Sequence, residues 1–380
     1  DRTSHTLTVT VTDNGVPQLS CVATVSVQVE DVNDVTLVGF SSTGNLVDGV
    51  TAAPYGTPGG DVVYLHGTNF GPKTLASADT ADRPIVVASY GRLDTEKYTD
   101  ASCQVVADPN VALAQINTLI RCVTVAGTGR DLRWAVTING GTPGVRGGAG
   151  SATSAAGTVT RYRAPSITSV DGADAIPTAG GTPLIIHGND FGEAGTFVQV
   201  RYGPEGSGFL GVGCEVSPDS PHTQILCKSA PGVGAGLKWV VEIDGQVSLV
   251  HEGAYAYEAP ALRHMAGVNQ LSPMGGEEIR FDGTNFGSRS GLAAGVGVPG
   301  LSGEVQVYYE NDDGYKYYMV GCSVTVAHAE ITCHTAPGVG KEHRFTVVVG
   351  GQTTDPILET SSRRLAEGTF ASVSYHPPEI

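Results

Sequence analysis

The sequence has no long hydrophobic run and carries few basic residues. No apolar stretch approaches the roughly 20 residues that a helix needs to cross a bilayer, so we expect no direct membrane insertion by this chain. Only 22 residues are Lys or Arg, against 38 Asp or Glu, and the formal net charge is -16. Because a surface of this sign repels a phosphate backbone, we exclude nucleic acid as an expected partner.

Common catalytic and metal-binding motifs are also missing. No Gly-x-Ser-x-Gly segment occurs, and nothing indicates a Ser/His/Asp triad. The seven cysteines include no Cys-x2-Cys pair, so a zinc site is not expected. No Asn-x-Ser/Thr sequence occurs either, which argues against N-glycosylation. We therefore expect that the chain is not an enzyme and requires no cofactor.

Glycine, proline and short β patterns dominate instead. The 380 residues include 52 Gly and 21 Pro, yet 40% of them are hydrophobic, which is enough for true cores. Turn residues spread between Val/Ile/Thr runs are typical of many short strands. The length predicts two to four domains, at roughly 100–200 residues each.

An internal repeat organises the chain. Three segments align without gaps, and each has a Gly-Gly pair, an alternating strand, a glycine seven residues on and a Phe-Gly turn. They span residues 60–71, 181–192 and 276–287. Glycines at fixed offsets suit tight turns, and period-2 alternation turns one face of a strand inward.

A second block follows each first block. It begins at a cysteine, and an aromatic residue stands twelve positions later at the head of an alternating strand. The pairs are Cys122 with Trp134, Cys227 with Trp239, and Cys333 with Phe345. Each copy closes on a similar junction, which starts at Tyr162, Tyr257 or Tyr375 and contains proline. We expect seven-strand sandwiches from several short strands in about 100 residues.

These blocks resemble the TIG/IPT domain family. Its pattern combines the Gly-Gly strand, the Asn-Phe-Gly turn, two cysteines, an Ala-Pro pair and a final strand that ends in glycine. The resemblance implies an all-β chain of tandem immunoglobulin-like (TIG/IPT) β-sandwiches in a linear array. The expected copies are residues 35–165, 166–260 and 261–378, and residues 379–380 would start a further repeat. We therefore expect the chain to be an internal piece of a longer protein.

Residues 1–34 resemble the last strands of a cadherin repeat. The order of Asp1-Arg2, Asp13-Asn-Gly-Val-Pro17 and Asp31-Val-Asn-Asp34 carries the resemblance, although Thr3 replaces the usual glutamate. It implies that Asp1, Asp31, Asn33 and Asp34 form part of a Ca²⁺ shell between domains. The alternative is that these side chains are solvated turn residues.

Six of the seven cysteines fall two to a copy, and each pair flanks a short hairpin. We expect the bridges Cys103–Cys122, Cys214–Cys227 and Cys322–Cys333, formed in an oxidising compartment. The alternative is buried free thiols in a reduced compartment. Cys21 is left over, and three states stay open for it: a bridge to upstream chain, a bridge to another molecule, or a reduced core thiol.

One hairpin of the third copy is rich in tyrosine. Tyr308 and Tyr309 lead into the turn Asp312-Asp313-Gly314, and Tyr315, Tyr317 and Tyr318 lead out of it. Because neighbouring residues of a strand point to opposite faces, tyrosines lie on both faces of this ribbon. Exposed tyrosine clusters favour interfaces. We predict a protein contact here; the alternative is ordinary decoration of a β edge.

The pattern favours a non-enzymatic, extracellular structural or adhesive protein. It would be a fragment of a surface stalk, coat or filament and would contact other protein subunits by self-assembly or adhesion. Because TIG/IPT domains occur in fibrocystin-like ciliary surface proteins, the resemblance implies the surface of a cilium or flagellum as one such location. The Ser/Thr-rich stretch 142–158 would permit O-glycans. The alternative is the ectodomain stalk of a plexin-like or Met-like receptor. An intracellular DNA-binding protein conflicts with the negative charge, and accessory modules of a carbohydrate enzyme would require a separate catalytic domain.

Overall fold

The computed structural model is all-β over the residues that it describes. The described residues are 3–16, 18–29, 35–43, 53–70, 85–92, 97–99, 102–106, 118–139, 150–154, 158–267, 270–289, 305–354 and 372–377. All 27 named elements within them are strands. None of these residues belongs to a helix long and apolar enough to cross a membrane. By contacts the chain divides into two compact units, residues 1–125 with 130–162 and residues 126–129 with 163–380.

The first unit begins with a two-stranded antiparallel hairpin, followed by a sandwich. The hairpin pairs Thr3 with Val29 and Thr12 with Ser20. The sandwich has a four-stranded sheet of order β3-β4-β7-β6 and a three-stranded sheet of order β5-β8-β9. The strands are β1 (Thr3–Thr12), β2 (Ser20–Val29), β3 (Thr36–Ser41), β4 (Val62–Thr68), β5 (Ile85–Arg92), β6 (Ser102–Val106), β7 (Leu119–Val123), β8 (Leu132–Asn139) and β9 (Gly150–Thr153).

The second unit contains two sandwiches in succession. Counted along the chain, they are the second and third sandwiches. The second sandwich has sheets of order β10-β11-β15-β14 and β13-β12-β16-β17. Its strands are β10 (Ser166–Asp171), β11 (Pro183–Asn189), β12 (Val198–Gly203), β13 (Phe209–Leu210), β14 (Val212–Val216), β15 (Gln224–Lys228), β16 (Lys238–Ile243) and β17 (Gln246–Val247).

The third sandwich repeats this arrangement with sheets of order β18-β20-β24-β23 and β22-β21-β25-β26. Its strands are β18 (Ala261–Ala266), β19 (Gln270–Leu271), β20 (Glu278–Thr284), β21 (Val305–Glu310), β22 (Lys316–Tyr318), β23 (Val320–Val326), β24 (Glu330–His334), β25 (Arg344–Val349), β26 (Gln352–Thr353) and β27 (Ser374–Tyr375). The short strands β19 and β27 pair in parallel.

Each sandwich encloses its own core, and equivalent side chains build all three. The phenylalanines of the Phe-Gly turns are buried, as are the aromatic residues twelve positions after the second cysteine. These residues are Phe70, Phe191, Phe286, Trp134, Trp239 and Phe345. The prediction of tandem immunoglobulin-like sandwiches is therefore confirmed, and its repeated aromatic residues serve as core.

Close packing explains the glycine that recurs three residues before each Phe of the Phe-Gly turns. In the second sandwich, a Cβ on Gly188 would lie 1.9 Å from the carbonyl oxygen of Ser166 and 2.4 Å from Cζ of Phe191. The equivalent Gly67 and Gly283 are equally crowded by the preceding strand and their own phenylalanine. Only glycine lets the first strand and the turn phenylalanine approach this closely.

Candidate functional site

A closed ring of hydrogen bonds holds the loop after the second cysteine of the second sandwich. The amide of Ala230 donates to Tyr202 Oη at 2.8 Å, the hydroxyls of Tyr202 and Tyr257 lie 3.0 Å apart, and Tyr257 Oη donates to the Ala230 carbonyl at 2.8 Å. Burial raises the pKa of both tyrosines, so both phenols stay protonated and act as donors. We call this arrangement the tyrosine clamp.

The first sandwich has the same clamp. Val125 N donates to Tyr90 Oη at 3.1 Å, Tyr90 and Tyr162 hydroxyls lie 2.7 Å apart, and Tyr162 Oη donates to Val125 O at 2.6 Å. The clamp uses backbone atoms of the loop, which explains why Val125 can replace the alanine of the other copies.

In the third sandwich, Tyr309 and Tyr375 both donate toward the Ala336 carbonyl, at 3.1 and 2.8 Å. The junction tyrosines of the repeat are thus structural in all three copies. Sequence reasoning missed their partners Tyr90, Tyr202 and Tyr309, although each pairs in register with Trp134, Trp239 or Phe345 across the sheet.

Three disulfides join the cysteine pairs that the repeat predicts. They link Cys103 to Cys122, Cys214 to Cys227 and Cys322 to Cys333. Each bridges two neighbouring strands of one sheet, and the second cysteine of each pair faces the core. All six cysteines are therefore used within their own sandwich.

Cys21 is exposed on one face of the first hairpin. It pairs in register with Val11, and Ala23 pairs with Val9, so these four residues share a face of the ribbon. Val9 and Val11 are exposed as well. The cadherin-like origin of this hairpin stays a prediction, as does the state of Cys21.

The predicted calcium residues Asp1, Asp31, Asn33 and Asp34 lie outside the described residues, so calcium binding stays a prediction. Within the described part of the chain, no three His, Cys, Asp or Glu side chains are grouped to hold a metal ion. Asp13 accepts from the amides of Gly15 and Leu19, at 3.1 and 2.9 Å, as a turn residue does.

In the Ser/Thr-rich stretch, residues 142–149 and 155–157 lie outside the described residues, and Gly150–Thr153 forms β9 against β8.

The tyrosine hairpin of the third sandwich is formed by β21 and the edge strand β22. Tyr308 pairs with Tyr318 and Tyr309 with Tyr317, at ring-centroid distances of 5.7 and 5.5 Å. The two pairs lie on opposite faces. Tyr309 is fully buried, so its assignment to a partner surface is corrected: its side chain belongs to the core and the tyrosine clamp.

The remaining tyrosines divide the hairpin into a supporting and an exposed part. Tyr317 packs against the core and donates from Oη to the Val339 carbonyl at 3.1 Å. Tyr315 and Tyr318 are 69% and 52% exposed. Lys316 Nζ lies 4.5 Å from the centre of the Tyr308 ring and 3.3 Å from Glu310 Oε2. The tyrosines on the outer surface of the hairpin are therefore the exposed Tyr315 and Tyr318 and the half-buried Tyr308, with Lys316 beside them.

His343 occupies a position where the other two sandwiches have leucine. Ten residues after the second cysteine stand Leu132, Leu237 and His343, and all three are buried. His343 Nε2 lies 3.2 Å from the Val339 carbonyl, and no described residue pairs with its buried Nδ1. Burial lowers the pKa of His343, so the folded state holds it neutral.

Replacing His343 by leucine is expected to stabilise the third sandwich, by roughly 1 kcal/mol at pH 7, because an unpaired buried nitrogen is removed. The difference in free energy of unfolding between the variant and the wild-type protein should grow as the pH falls below about 6.5. In this range His343 of the wild-type chain binds a proton in the unfolded state but stays neutral in the folded state. Urea unfolding of both proteins between pH 5 and 8 measures this. A His343→Gln control keeps a polar side chain without titration; an unchanged pH dependence in both variants would contradict the assignment.

The second and third sandwiches are joined by a built interface that sequence reasoning missed. Val233, in the loop after Cys227, is only 5% exposed and belongs to the core cluster of the third sandwich. A Cβ on Gly287 would lie 2.8 Å from Val233 Cγ1, and a Cβ on Gly350 would lie 2.9 Å from Val233 Cγ2. Both glycines have positive φ. The valine therefore fits a socket that only glycines leave open.

Hydrogen bonds surround this valine. The Gly234 amide donates to Gln352 Oε1 at 3.2 Å, and Gln352 Nε2 donates to the Tyr257 carbonyl at 2.8 Å. Asn285 Nδ2 donates to Glu258 Oε2 at 2.8 Å, and Thr178 Oγ1 lies 2.9 Å from His328 Nδ1. An apolar centre with a hydrogen-bonded rim is the arrangement of a specific interface.

Residues 126–129 make equivalent contacts within the second unit. The Gly129 amide donates to Gln246 Oε1 at 3.2 Å, as Gly234 does to Gln352. A Cβ on Gly192 would lie 2.5 Å from Thr128 Cγ2, and Thr128 Oγ1 donates to Asp244 Oδ2. Thr128 and Val233 each follow the second cysteine by six residues. The same device therefore occurs twice in this unit.

The comparison with protein families agrees with the fold of the second sandwich. Residues 165–257 match the family model described as the IPT/TIG domain. No curated protein matches the chain.

Among solved structures, the chain is similar to one determined with a xylogluco-oligosaccharide, at 15% identity and a TM-score of 0.29, with 84% of this chain and 58% of that one covered. It is similar to the Escherichia coli adhesin FdeC at 13% identity and a TM-score of 0.23, with 84% and 92% covered. Surface layer protein SbsC, domains 1–6, matches at 10% identity and a TM-score of 0.16, with 85% and 53% covered. The chain thus spans little more than half the length of the first and last of these. The second sandwich, over residues 165–257, is an IPT/TIG domain.

Proposed function

We propose that the chain is a non-enzymatic structural or adhesive segment of an extracellular protein, a part of a larger surface stalk, coat or filament. The observation that carries the proposal is the use of the repeated residues. The recurring cysteines form disulfides, the recurring tyrosines clamp a loop, and the recurring glycines make room for packing. The residues that recur in the sequence are thus residues that stabilise the sandwiches and their packing.

The disulfides support a location outside the cell or on its surface. Structural disulfides persist in oxidising compartments and are rare in the reducing cytosol. The chain places one in each sandwich, between neighbouring strands. The net charge of -16 suits a soluble surface that resists nonspecific association.

The junction between the second and third sandwiches supports a load-bearing role. A hinge would have few contacts across it, whereas this junction buries a valine and pairs several polar groups around it. Interfaces with an apolar centre limit relative motion. This junction therefore holds the third sandwich in one orientation relative to the second.

We place the contact to other protein subunits at the exposed part of the tyrosine hairpin. Tyrosine offers a large, rigid surface at low entropic cost and is enriched where proteins bind each other. Strand β22 is an edge strand, and its exposed Tyr318 lies beside the hydrogen-bonding edge that a partner strand could use. Lys316 over Tyr308 holds one ring in place through a cation–π contact.

Aggregation of beads that carry the full chain tests this role. Beads with the wild-type chain are expected to aggregate, and the triple variant Tyr308→Ser, Tyr315→Ser, Tyr318→Ser should reduce the aggregation rate by roughly fivefold or more. Because these side chains are wholly or partly outside the core, the variant should keep its unfolding midpoint. The matched control is Leu249→Ser with Val250→Ser, which removes exposed apolar side chains from the second sandwich.

Two results would contradict the proposal. Wild-type beads that stay dispersed at every concentration would remove self-adhesion as the role of this hairpin. Equal aggregation of the wild-type and triple-variant beads would move the contact elsewhere on the chain.

A further inference from the structure

The loop after Cys333 has the same conformation as the loop that docks into the third sandwich. Residues 336–340 repeat the Ala-Pro-Gly-Val-Gly of residues 230–234. The last glycine has φ 111° at Gly340 and 108° at Gly234. In both loops the middle glycine packs on the junction tyrosine: a Cβ on Gly338 would lie 2.4 Å from Tyr375 Oη, and one on Gly232 would lie 2.6 Å from Tyr257 Oη.

The environment of the two valines differs sharply. Val233 is 5% exposed because the third sandwich covers it, whereas Val339 is 68% exposed. The Val339 backbone is nonetheless held in place, since its carbonyl accepts from Tyr317 Oη at 3.1 Å and lies 3.2 Å from His343 Nε2. The Gly234 amide donates to Gln352 of the third sandwich. Its counterpart, the Gly340 amide, has no acceptor among the described residues.

We propose that the tip formed by Val339 and Gly340 is a docking site for a further β-sandwich of the same kind, continuing from residue 380. Its occupant is defined by chemistry: a glycine after a buried phenylalanine and a glycine on the last hairpin form the socket, and a glutamine on that hairpin accepts from the Gly340 amide. The second unit supplies the complete socket once, with Gly287, Gly350 and Gln352 against Val233 and Gly234. A related socket holds Thr128 and Gly129 with Gly192 and Gln246, and there Asp244 takes the place of the hairpin glycine and accepts from Thr128 Oγ1.

The connection between sandwiches supports an in-line occupant. In the second sandwich, Tyr257 is followed by Glu-Ala-Pro and then at once by β18 at Ala261. Tyr375 is followed by His-Pro-Pro and then by Glu379 and Ile380. This spacing would place the first strand of a further sandwich where β18 stands relative to Val233. The rim would differ, because Pro273 and His376 replace Thr178 and Glu258. The proposal does not depend on what the array binds.

Hydrogen exchange on extended chains tests the docking. One extended protein carries a copy of residues 263–380 after Ile380. A second carries a copy of residues 168–260 with Asp244→Gly, which supplies the glycine of the last hairpin. Within residues 338–342 of the unextended chain, the Gly340 amide should exchange fast, because no described residue accepts from it. In either extended chain it should exchange at least about tenfold more slowly. Residues 232–236 serve as the internal reference, since their loop is covered in every version.

Two substitutions test whether the valine side chains cause this protection from exchange. Val339→Asp should leave the unfolding midpoint of the unextended chain unchanged and should abolish the new protection of residues 338–342 in the extended chains. Val233→Asp should expose residues 232–236 in all of them, because it breaks an interface that is already present.

Unchanged exchange at 338–342 beside a folded extension, of either sequence, would overturn the proposal. Folding of the extension is read from slow exchange of its own core strands, and two different extensions guard against failure of one. If neither extension folds behind this tip, the tip does not support an in-line sandwich, and the proposal also fails. Protection that rises with concentration of the unextended chain would assign the tip to a second copy and would overturn the in-line occupant.

Discussion

Replacing Trp239 by alanine is expected to lower the free energy of unfolding of the second sandwich by about 3–5 kcal/mol, the cost typical of a deleted core tryptophan. The side chain is fully buried and stacks on Tyr202 at a centroid distance of 4.3 Å, with Tyr255 at its edge. Its loss leaves a cavity and removes one support of the tyrosine clamp. Urea unfolding followed by hydrogen exchange of the second sandwich measures the effect.

Two matched variants check the reason for this loss. Leu249→Ala removes an exposed side chain of the same sandwich and should change its stability by less than about 0.5 kcal/mol. Trp239→Phe should cost clearly less than Trp134→Phe, because Trp134 Nε1 donates to Thr160 Oγ1 at 2.9 Å whereas Trp239 Nε1 is buried without a partner among the described residues. Equal costs for the two phenylalanine variants would contradict this reading of the cores.

Removing the disulfide of the first sandwich by the double substitution Cys103→Ala, Cys122→Ala should destabilise that sandwich by about 3 kcal/mol. The bridge closes a segment with a sequence separation of 19 and so restricts the unfolded chain. The bridges with separations of 13 and 11 should contribute slightly less. Urea unfolding of each double variant, beside the wild-type chain, gives the three values.

The control for these variants is Cys21→Ala, which removes the exposed thiol and should leave all three sandwiches unchanged. Treating the wild-type chain with a reductant should reproduce the loss seen in the three double variants. A double variant as stable as the wild-type chain would mean that its bridge does not constrain the unfolded state.

Much of the fold could be predicted from local patterns. The Gly-Gly strand, the Phe-Gly turn and the aromatic residue after each second cysteine recur at fixed spacing, and spacing within a strand determines which face a side chain occupies. The cysteine pairs followed from the same register. Such features depend on residues close together in sequence, so a single sequence reveals them.

Features that depend on contacts between distant strands escaped prediction. Tyr309 stands in a hairpin rich in tyrosine, and only the pairing of β21 with β25 places it opposite Phe345 in the core. Val233 and Val339 stand in identical pentapeptides, yet one is covered and the other exposed, because coverage is decided by the neighbouring sandwich. Gln246 and Gln352 gave no signal of their own, since an isolated glutamine on a hairpin is usually solvated.

Peptide mapping of the protein from its native source, digested without reduction after alkylation of free thiols, tests the central account most directly. An extracellular array of disulfide-linked sandwiches predicts three local links, Cys103 to Cys122, Cys214 to Cys227 and Cys322 to Cys333. Alkylated thiols at all six of these positions would contradict both the extracellular location and the role of the repeat.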